Sequence, residues 1–203
     1  MDFSSITFLY FFLPVVLALY FITPNKYKNY ILLLASLFFC FCGVPKYTLL
    51  LISSIAINYF YGIFIEKHLG TKIAGYAVAS SILVNLLLLA IFKYSNFLIN
   101  NIGYIFNINI KFVKMALPIG ISFYTLKAMS YIIDVYRGEV KAQKNAFNLA
   151  LYISFFPQLI AGPIMRYKTM NNESVHRNHS FDDFAYGVKR FVVGLAKKVL
   201  LAN

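Results

Sequence analysis

Two ionisable side chains, Lys127 and Asp134, stand inside an apolar stretch that covers residues 117–135. Placing one ionised group in hydrocarbon costs about 2.5–3.5 kcal/mol on insertion scales, so such residues usually face a cavity or the interior of a helix bundle. Seven residues apart, they share a helix face, but two turns separate them and we expect no direct pairing. The competing interpretations are a snorkelling side chain for Lys127 and an interfacial anchor pair for Asp134 and Arg137.

Hydroxyl and amide side chains surround these two residues along the chain. Gln158 follows Pro157 in an otherwise apolar run. A buried amide needs a partner, and a broken helix end supplies free carbonyl and N–H groups, so Gln158 is a candidate for a polar chamber or for a purely structural bond. Polar side chains commonly form hydrogen bonds between membrane helices. Helix packing is therefore the main alternative to a functional role for Ser122, Tyr124, Thr125, Ser130 and Tyr131.

The three histidines do not predict a catalytic or metal site. His68 ends an apolar run among charged residues, where a helix C-terminus favours a cation. His176 and His179 lie in a polar stretch without a recognisable set of further ligands, so we predict no metal site. The sequence also contains no Walker loop, dinucleotide fingerprint or serine-hydrolase elbow, and we assign no bound cofactor.

The elements that must position these residues are membrane helices. Of 203 residues, 60% are hydrophobic and only 13% are charged, against about 25% charged in typical soluble domains. Runs long enough to approach or span a hydrocarbon core cover residues 6–22, 30–42, 47–65 and 73–92. The net charge of +12 comes from cations between these runs, which fits the positive-inside bias better than nucleic-acid binding. Four lysines after the first and third runs, against two after the second and fourth, predict an N-terminus outside the cytoplasm.

The pattern changes in the second half of the chain. Residues 97–110 predict an interfacial or re-entrant helix. Residues 115–135 and 146–165 are long enough to cross, but prolines and glycines interrupt both, and broken helices survive at membrane depth only where they are buried in protein or face a wet cavity. Ser180 and Asp183 predict a capping box that opens a basic amphipathic helix. We therefore predict an all-α polytopic protein with about 5–7 membrane-embedded segments. Residues 1–96 would form peripheral transmembrane helices, and residues 97–203 would form a broken-helix region.

Four motifs in the second half resemble those of the membrane-bound O-acyltransferase superfamily, in its bacterial alginate O-acetylation branch. They are LPIGISFYT at residues 117–125, SYIIDVYRG at 130–138, FFPQLIAGPI at 155–164 followed by Arg166, and GLAKKV at 194–199. The matches occur in the family order over the last 90 or so residues. Each motif alone is weak, whereas the ordered set is specific.

The resemblance implies a helical funnel in the bacterial inner membrane that passes an acyl group, from acetyl-CoA or another acyl thioester, to hydroxyls of an envelope polysaccharide. It also implies membrane lipids and a periplasmic or membrane-anchored acetyltransferase as partners. The family's catalytic histidine lies in a later span, where a neutral imidazole can deprotonate the acceptor hydroxyl. No histidine here matches that motif, so we assign no catalytic residue and expect the N-terminal portion of such a protein. The family-matched residues expected near the tunnel are Ser122, Tyr124, Asp134, Arg137, Gln158, Gly162, Pro163 and Arg166.

Two other functions remain open from the sequence. Broken helices also characterise carriers, so a transporter or an envelope export subunit is one alternative. A carrier would be expected to contain paired broken helices in two repeats, and one such region is visible. The other alternative is an inactive truncated remnant.

Overall fold

The computed structural model describes residues 5–43, 45–95, 97, 101, 118–160, 162–163, 165–170 and 180–201. All regular elements in these ranges are helical, which confirms the all-α prediction for this part of the chain. Most of the interfacial helix predicted at residues 97–110 lies outside the described residues, as do His176 and His179.

The first half folds into four apolar helices at the places that the hydrophobic runs predict. A π-helical turn, Phe8–Phe12, leads into α1 (Leu13–Ile22) directly before Pro14, which has no N–H to donate. Helices α2 (Lys28–Gly43), α3 (Pro45–Lys67) and α4 (Lys72–Leu89) follow, and a second π turn, Ala90–Tyr94, extends α4. By length and composition two of these, Pro45–Lys67 and Lys72–Tyr94, can cross a membrane, and Phe8–Ile22 and Lys28–Gly43 are shorter apolar helices.

The second half contains one long buried helix and one broken one. Helix α5 (Ile121–Tyr136) starts only after Pro118 and Gly120. The run at residues 146–165 does not form one spanning helix. It forms α6 (Ala146–Ser154), a 3₁₀ turn (Phe156–Gln158) and a returning segment that includes residues 165–170, because Pro157 cannot continue the α-helical hydrogen bonding.

Helix α7 (Phe181–Leu201) begins at the predicted cap. The backbone N–H of Asp183 donates to Ser180 Oγ at 3.0 Å. In the usual capping box the third residue's carboxylate accepts from the backbone N–H of the cap. Here the Asp183 carboxylate instead accepts the Ser180 hydroxyl at 2.6 Å, since aspartate is one methylene shorter than glutamate.

The helix ends form two opposite surfaces of the bundle. One, which we call the basic end, gathers residues 23–28, 66–72, 137–145 and 165–168. Asn29 Nδ2 donates to Asn148 Oδ1 at 3.3 Å, and the Ala142 N–H donates to Glu66 Oε1 at 3.1 Å. The opposite end gathers residues 43, 45–47, 90–95 and 118–122, where Lys93 Nζ donates to Ser122 Oγ at 3.2 Å.

A polar layer joins α3 to α4 inside the bundle. Asn58 and Asn85 exchange reciprocal amide hydrogen bonds of 3.2 and 2.9 Å, and both residues are 1% exposed. Each amide also donates to the carbonyl one turn before it, that of Ser54 or Ser81. Such interhelical amide bonds hold membrane helices together without a hydrophobic driving force.

Candidate functional site

Helix α5 presents a polar face to the interior of the bundle. Lys127 and Tyr131 are fully buried, and Tyr124 and Asp134 are 3% and 4% exposed. These four residues recur three to four apart, which is the spacing of one helix face. Helices α3, α4 and α6 surround α5, so this face is covered by protein.

Side chains from two other helices form hydrogen bonds with the backbone groups that the end of α6 leaves unpaired. Continued helix would pair the Phe156 N–H with the Tyr152 carbonyl. Instead the Phe156 N–H donates to Ser36 Oγ of α2 at 3.1 Å, and Lys127 Nζ donates to the Tyr152 carbonyl at 3.3 Å. Lys127 therefore does not snorkel: its ammonium caps a helix C-terminus, where a cation is favoured.

The returning segment is held close to the start of α5 by a glycine. Gly120 has a φ of +72°, in the left-handed region that glycine adopts at little cost. A Cβ at this position would overlap the carbonyl oxygen of Leu159. Gly120 thus serves two purposes, the turn into α5 and the close approach of the broken segment.

Three tyrosines pack around the returning segment near the basic end. The rings of Tyr131 and Tyr152 both meet the Tyr167 ring edge to face, at centroid distances of 5.1 and 5.2 Å. Gln143 links two of them: its N–H donates to the Tyr131 hydroxyl at 2.9 Å, and its Nε2 donates to the Tyr167 hydroxyl at 2.6 Å. The Tyr152 hydroxyl donates to the Met165 carbonyl at 3.0 Å. Burial raises the pKa of Tyr167, so its hydroxyl stays protonated at neutral pH.

A polar cleft of about 360 Å³ opens beside this cluster. Its charged and amide-bearing lining residues are Glu139, Lys141, Gln143 and Lys168, together with the hydroxyl-bearing Tyr167. Arg166 precedes Tyr167 and forms an ion pair with Glu139 at 3.4 Å, with 63% of the Arg166 side chain exposed. An exposed ion pair contributes little to stability, so Arg166 can exchange this carboxylate for another anion at small cost.

Several buried polar atoms have no hydrogen-bond partner among the described residues. Three of them belong to the motif segments: the Tyr124 hydroxyl, Asp134 Oδ2 and Gln158 Oε1. The other two are hydroxyls of α3, those of Thr48 and Ser54. An unpaired buried polar atom costs about 1–3 kcal/mol, and such strained groups are expected at functional sites.

The structure divides the predicted site residues between the two ends of α5. Asp134, Arg137 and Arg166 lie at the basic end, where the Asp134 carboxylate is within electrostatic range of Glu139 as well as of both arginines. Tyr124 lies with Cys40 and Thr48 beside the opposite end. Ser122, in the first turn of α5, accepts the bond from Lys93.

The remaining predicted residues belong to the returning segment. Gln158 Nε2 donates to Met165 Sδ at 2.8 Å, which ties the inward and outward halves of the segment together. Gly162 has a φ of +145°, and it and Pro163 are exposed at the turn. The roles of all eight residues toward a substrate stay predictions.

Sequence reasoning missed four residues of this region. Ser36, Gln143, Tyr152 and Tyr167 reach the site from other helices or from loops, and no local pattern marks them. The prolines at 157 and 163 marked the break, and the side chains that satisfy it became visible only in the fold.

The known proteins to which this chain is similar in sequence are all named as O-acetylating enzymes. The chain is 39% identical over its whole length to the probable alginate O-acetylase AlgI of Pseudomonas aeruginosa. It is 38% identical to the protein of the same name from Azotobacter vinelandii, and 32% identical over 99% of its length to the peptidoglycan O-acetyltransferase of Helicobacter pylori. It spans 40%, 42% and 44% of the length of these three relatives.

No family model matches the chain, and no solved structure matches it. The sequence relatives nevertheless agree with the motif resemblance of the second half, and they extend the similarity over the entire chain. The chain is homologous throughout to part of the bacterial alginate and peptidoglycan O-acetylases, and it corresponds to the N-terminal portion of a membrane-bound O-acyltransferase.

Proposed function

We propose that this chain is part of a multi-pass O-acetyltransferase of the bacterial inner membrane that acetylates hydroxyls of an envelope polysaccharide. The names of its relatives support this reaction class, since they are an alginate O-acetylase and a peptidoglycan O-acetyltransferase. The acceptor is alginate, peptidoglycan or a similar polymer. A periplasmic or membrane-anchored acetyltransferase is the proposed partner that completes transfer.

The outer surface of the bundle supports placement in a bilayer. An apolar groove of about 420 Å³ runs between α1 and α2, lined entirely by hydrophobic side chains. Large side chains such as Tyr10, Phe60 and Leu83 are 58–74% exposed on the outside of the helices. Lipid tails can cover such a surface, whereas contiguous apolar patches of this extent are rare on soluble monomers.

Charge supports an orientation across that bilayer. The cations of the basic end include Lys26, Lys28, Lys67, Lys72, Arg137, Lys141, Lys144, Arg166 and Lys168, whereas the described residues of the opposite end include Lys46 and Lys93. The positive-inside rule then assigns the basic end to the cytoplasm. Because α1 runs toward the basic end, the N-terminus would lie outside, as the lysine pattern predicts.

The position of Arg166 is the main observation in favour of a binding site for the acetyl donor at the basic end. Arg166 lies at the basic end, where it pairs with Glu139 of the polar cleft and directly precedes Tyr167, another residue of the cleft lining. A guanidinium binds phosphate in a bidentate fork, so Arg166 and the lysines of the cleft suit the phosphates of acetyl-CoA. The thioester would then reach inward along the broken segment, past Gln158.

The test uses the full-length protein and measures acetylation of its polymer. Arg166→Ala is expected to lower acetylation at least tenfold at limiting donor, because the phosphate contact is lost. Lys67→Ala removes a cation from the same end of the bundle, outside the cleft, and is expected to leave acetylation unchanged. Undiminished acetylation in Arg166→Ala would remove Arg166 from the donor site.

A further inference from the structure

Helix α7 carries an apolar stripe, most of which is exposed. At 3.6 residues per turn, Phe184, Val188, Phe191, Leu195 and Val199 fall within an arc of roughly 80°. Phe191 is 41% exposed and Val199 is 46% exposed. A helix with such a stripe buries it against a partner or a membrane.

Three of the four cations of the same helix lie away from the stripe, whereas Lys198 lies at the edge of the stripe. Lys189, Arg190 and Lys197 lie roughly opposite the stripe. The acidic residues, Asp182 and Asp183, are confined to the first turn, where they suit the helix N-terminus. An apolar stripe combined with a cationic back is the pattern of a helix that lies in the headgroup region of an anionic membrane.

One contact fixes where α7 begins relative to the bundle. The Phe184 ring meets the Phe21 ring edge to face at a centroid distance of 5.5 Å. Phe21 is in the last turn of α1, beside Lys26 and Lys28 of the basic end. The apolar stripe of α7 therefore starts beside the end of α1, which in the membrane placement proposed above is the level of lipid headgroups.

We propose that α7 lies in the surface of the membrane at the basic end, with its stripe in the acyl boundary and its cations among anionic phospholipid headgroups. The proposal rests on the membrane placement proposed above. Each lysine or arginine near an anionic leaflet contributes attraction that corresponds to roughly a fivefold change in partitioning. A further segment of a longer protein is the competing occupant of the stripe, and the cationic back favours lipid over that segment.

The chain contains no tryptophan, so one introduced indole reports on one position. Phe191→Trp reports on the stripe and Tyr186→Trp reports on the polar back, roughly 140° away around the helix axis. Phe60→Trp, on the outer face of α3, reports on insertion of the bundle. Each variant of the 203-residue chain is reconstituted in vesicles of phosphatidylcholine with 30% phosphatidylglycerol.

The proposal predicts that lipid brominated at carbons 6 and 7 quenches the indole at position 191, and that aqueous iodide quenches the indole at position 186. Lipid brominated at carbons 11 and 12 should quench the indole at position 60 more strongly than the one at 191. Lys189→Gln with Arg190→Gln should raise the iodide-accessible fraction at position 191 several-fold. Lys46→Gln with Lys67→Gln, which removes the same charge elsewhere, should not change it.

Two outcomes would overturn the proposal. Iodide quenching at position 191 would put the stripe in water, and protection from both iodide and brominated lipid would put it against protein. The full-length protein carrying the same substitutions is measured against the full-length protein without the introduced indole, so that cover by a further segment is detected there. Lipid quenching at position 60 in either case would show that the bundle is inserted and that only the proposal for α7 has failed.

Discussion

Two polar regions inside the bundle differ in how completely their hydrogen bonds are made. Between α3 and α4, the amides of Asn58 and Asn85 bond each other and their own helices. Along α5 and the broken segment, the Tyr124 hydroxyl, Asp134 Oδ2 and Gln158 Oε1 are buried without a partner among the described residues. Both regions are buried, so burial alone does not explain the difference.

We propose that this difference separates structural from functional polar groups. A satisfied pair stabilises its helices, whereas an unpaired buried atom costs free energy that natural sequences tolerate mainly at functional sites. Three of the five unpaired atoms, those of α5 and the broken segment, lie within the motifs shared with the acyltransferases, whereas the Thr48 and Ser54 hydroxyls and the Asn58–Asn85 pair lie outside them. We therefore interpret Asn58–Asn85 as structural and propose that the motif residues line the acyl tunnel of the proposed acetyltransferase.

The largest effect on stability is expected where the broken segment approaches α5. Gly120→Ala should lower the free energy of unfolding by about 3 kcal/mol, because it combines a left-handed backbone with an overlap on Leu159. Gly138→Ala is the matched control, since its φ of +71° is nearly the same and a Cβ there would have nothing within 4 Å. The control should cost about 1 kcal/mol. Denaturation in detergent micelles measures both, and equal losses would refute the close approach.

The cap on the broken helix is expected to contribute somewhat less. Lys127→Met keeps most of the apolar stem but removes the donor to the Tyr152 carbonyl, and it should cost about 2 kcal/mol. Lys93→Met, which loses only an exposed bond to Ser122, should cost less than about 0.5 kcal/mol. A neutral result for Lys127→Met would mean that the broken segment is held by packing alone.

The satisfied pair should show coupling between its two members. Asn58→Leu or Asn85→Leu alone should each cost about 1 kcal/mol, because one amide loses its interhelical partner. The double variant should cost less than the sum of the two, and this is what a double-mutant cycle measures. Strictly additive losses would show that the two amides do not stabilise each other.

The described helices could be predicted from run lengths because an apolar run of sufficient length has few other stable forms. Helix α7 could be placed from Ser180 and Asp183, since a capping box is local. Pro157 likewise predicted a break. The residues that satisfy this break, Lys127 and Ser36, could not be predicted, because the pairing joins positions 25 and 120 residues apart in the chain.

The tyrosine cluster could not be predicted from the sequence either, because it also joins residues that are far apart in the chain. In the sequence Tyr131 is one of several hydroxyl-bearing residues, and Tyr167 lies beyond the motif that ends at Arg166. Their edge-to-face contact depends on the chain turning back after Gly162, and local periodicity does not encode that return. Asp134 was identified because an acidic residue in an apolar run is conspicuous at any point of a membrane sequence.

The central claim is that unpaired motif residues serve the reaction rather than the fold, and Asp134 tests it most directly. Asp134→Asn keeps the size of the side chain and removes its charge. In the full-length protein it should leave the unfolding temperature unchanged or higher, and it should lower polymer acetylation at least tenfold, when both are measured on one preparation. A variant that unfolds at lower temperature and still acetylates its polymer at the original rate would contradict this account of the acyl tunnel.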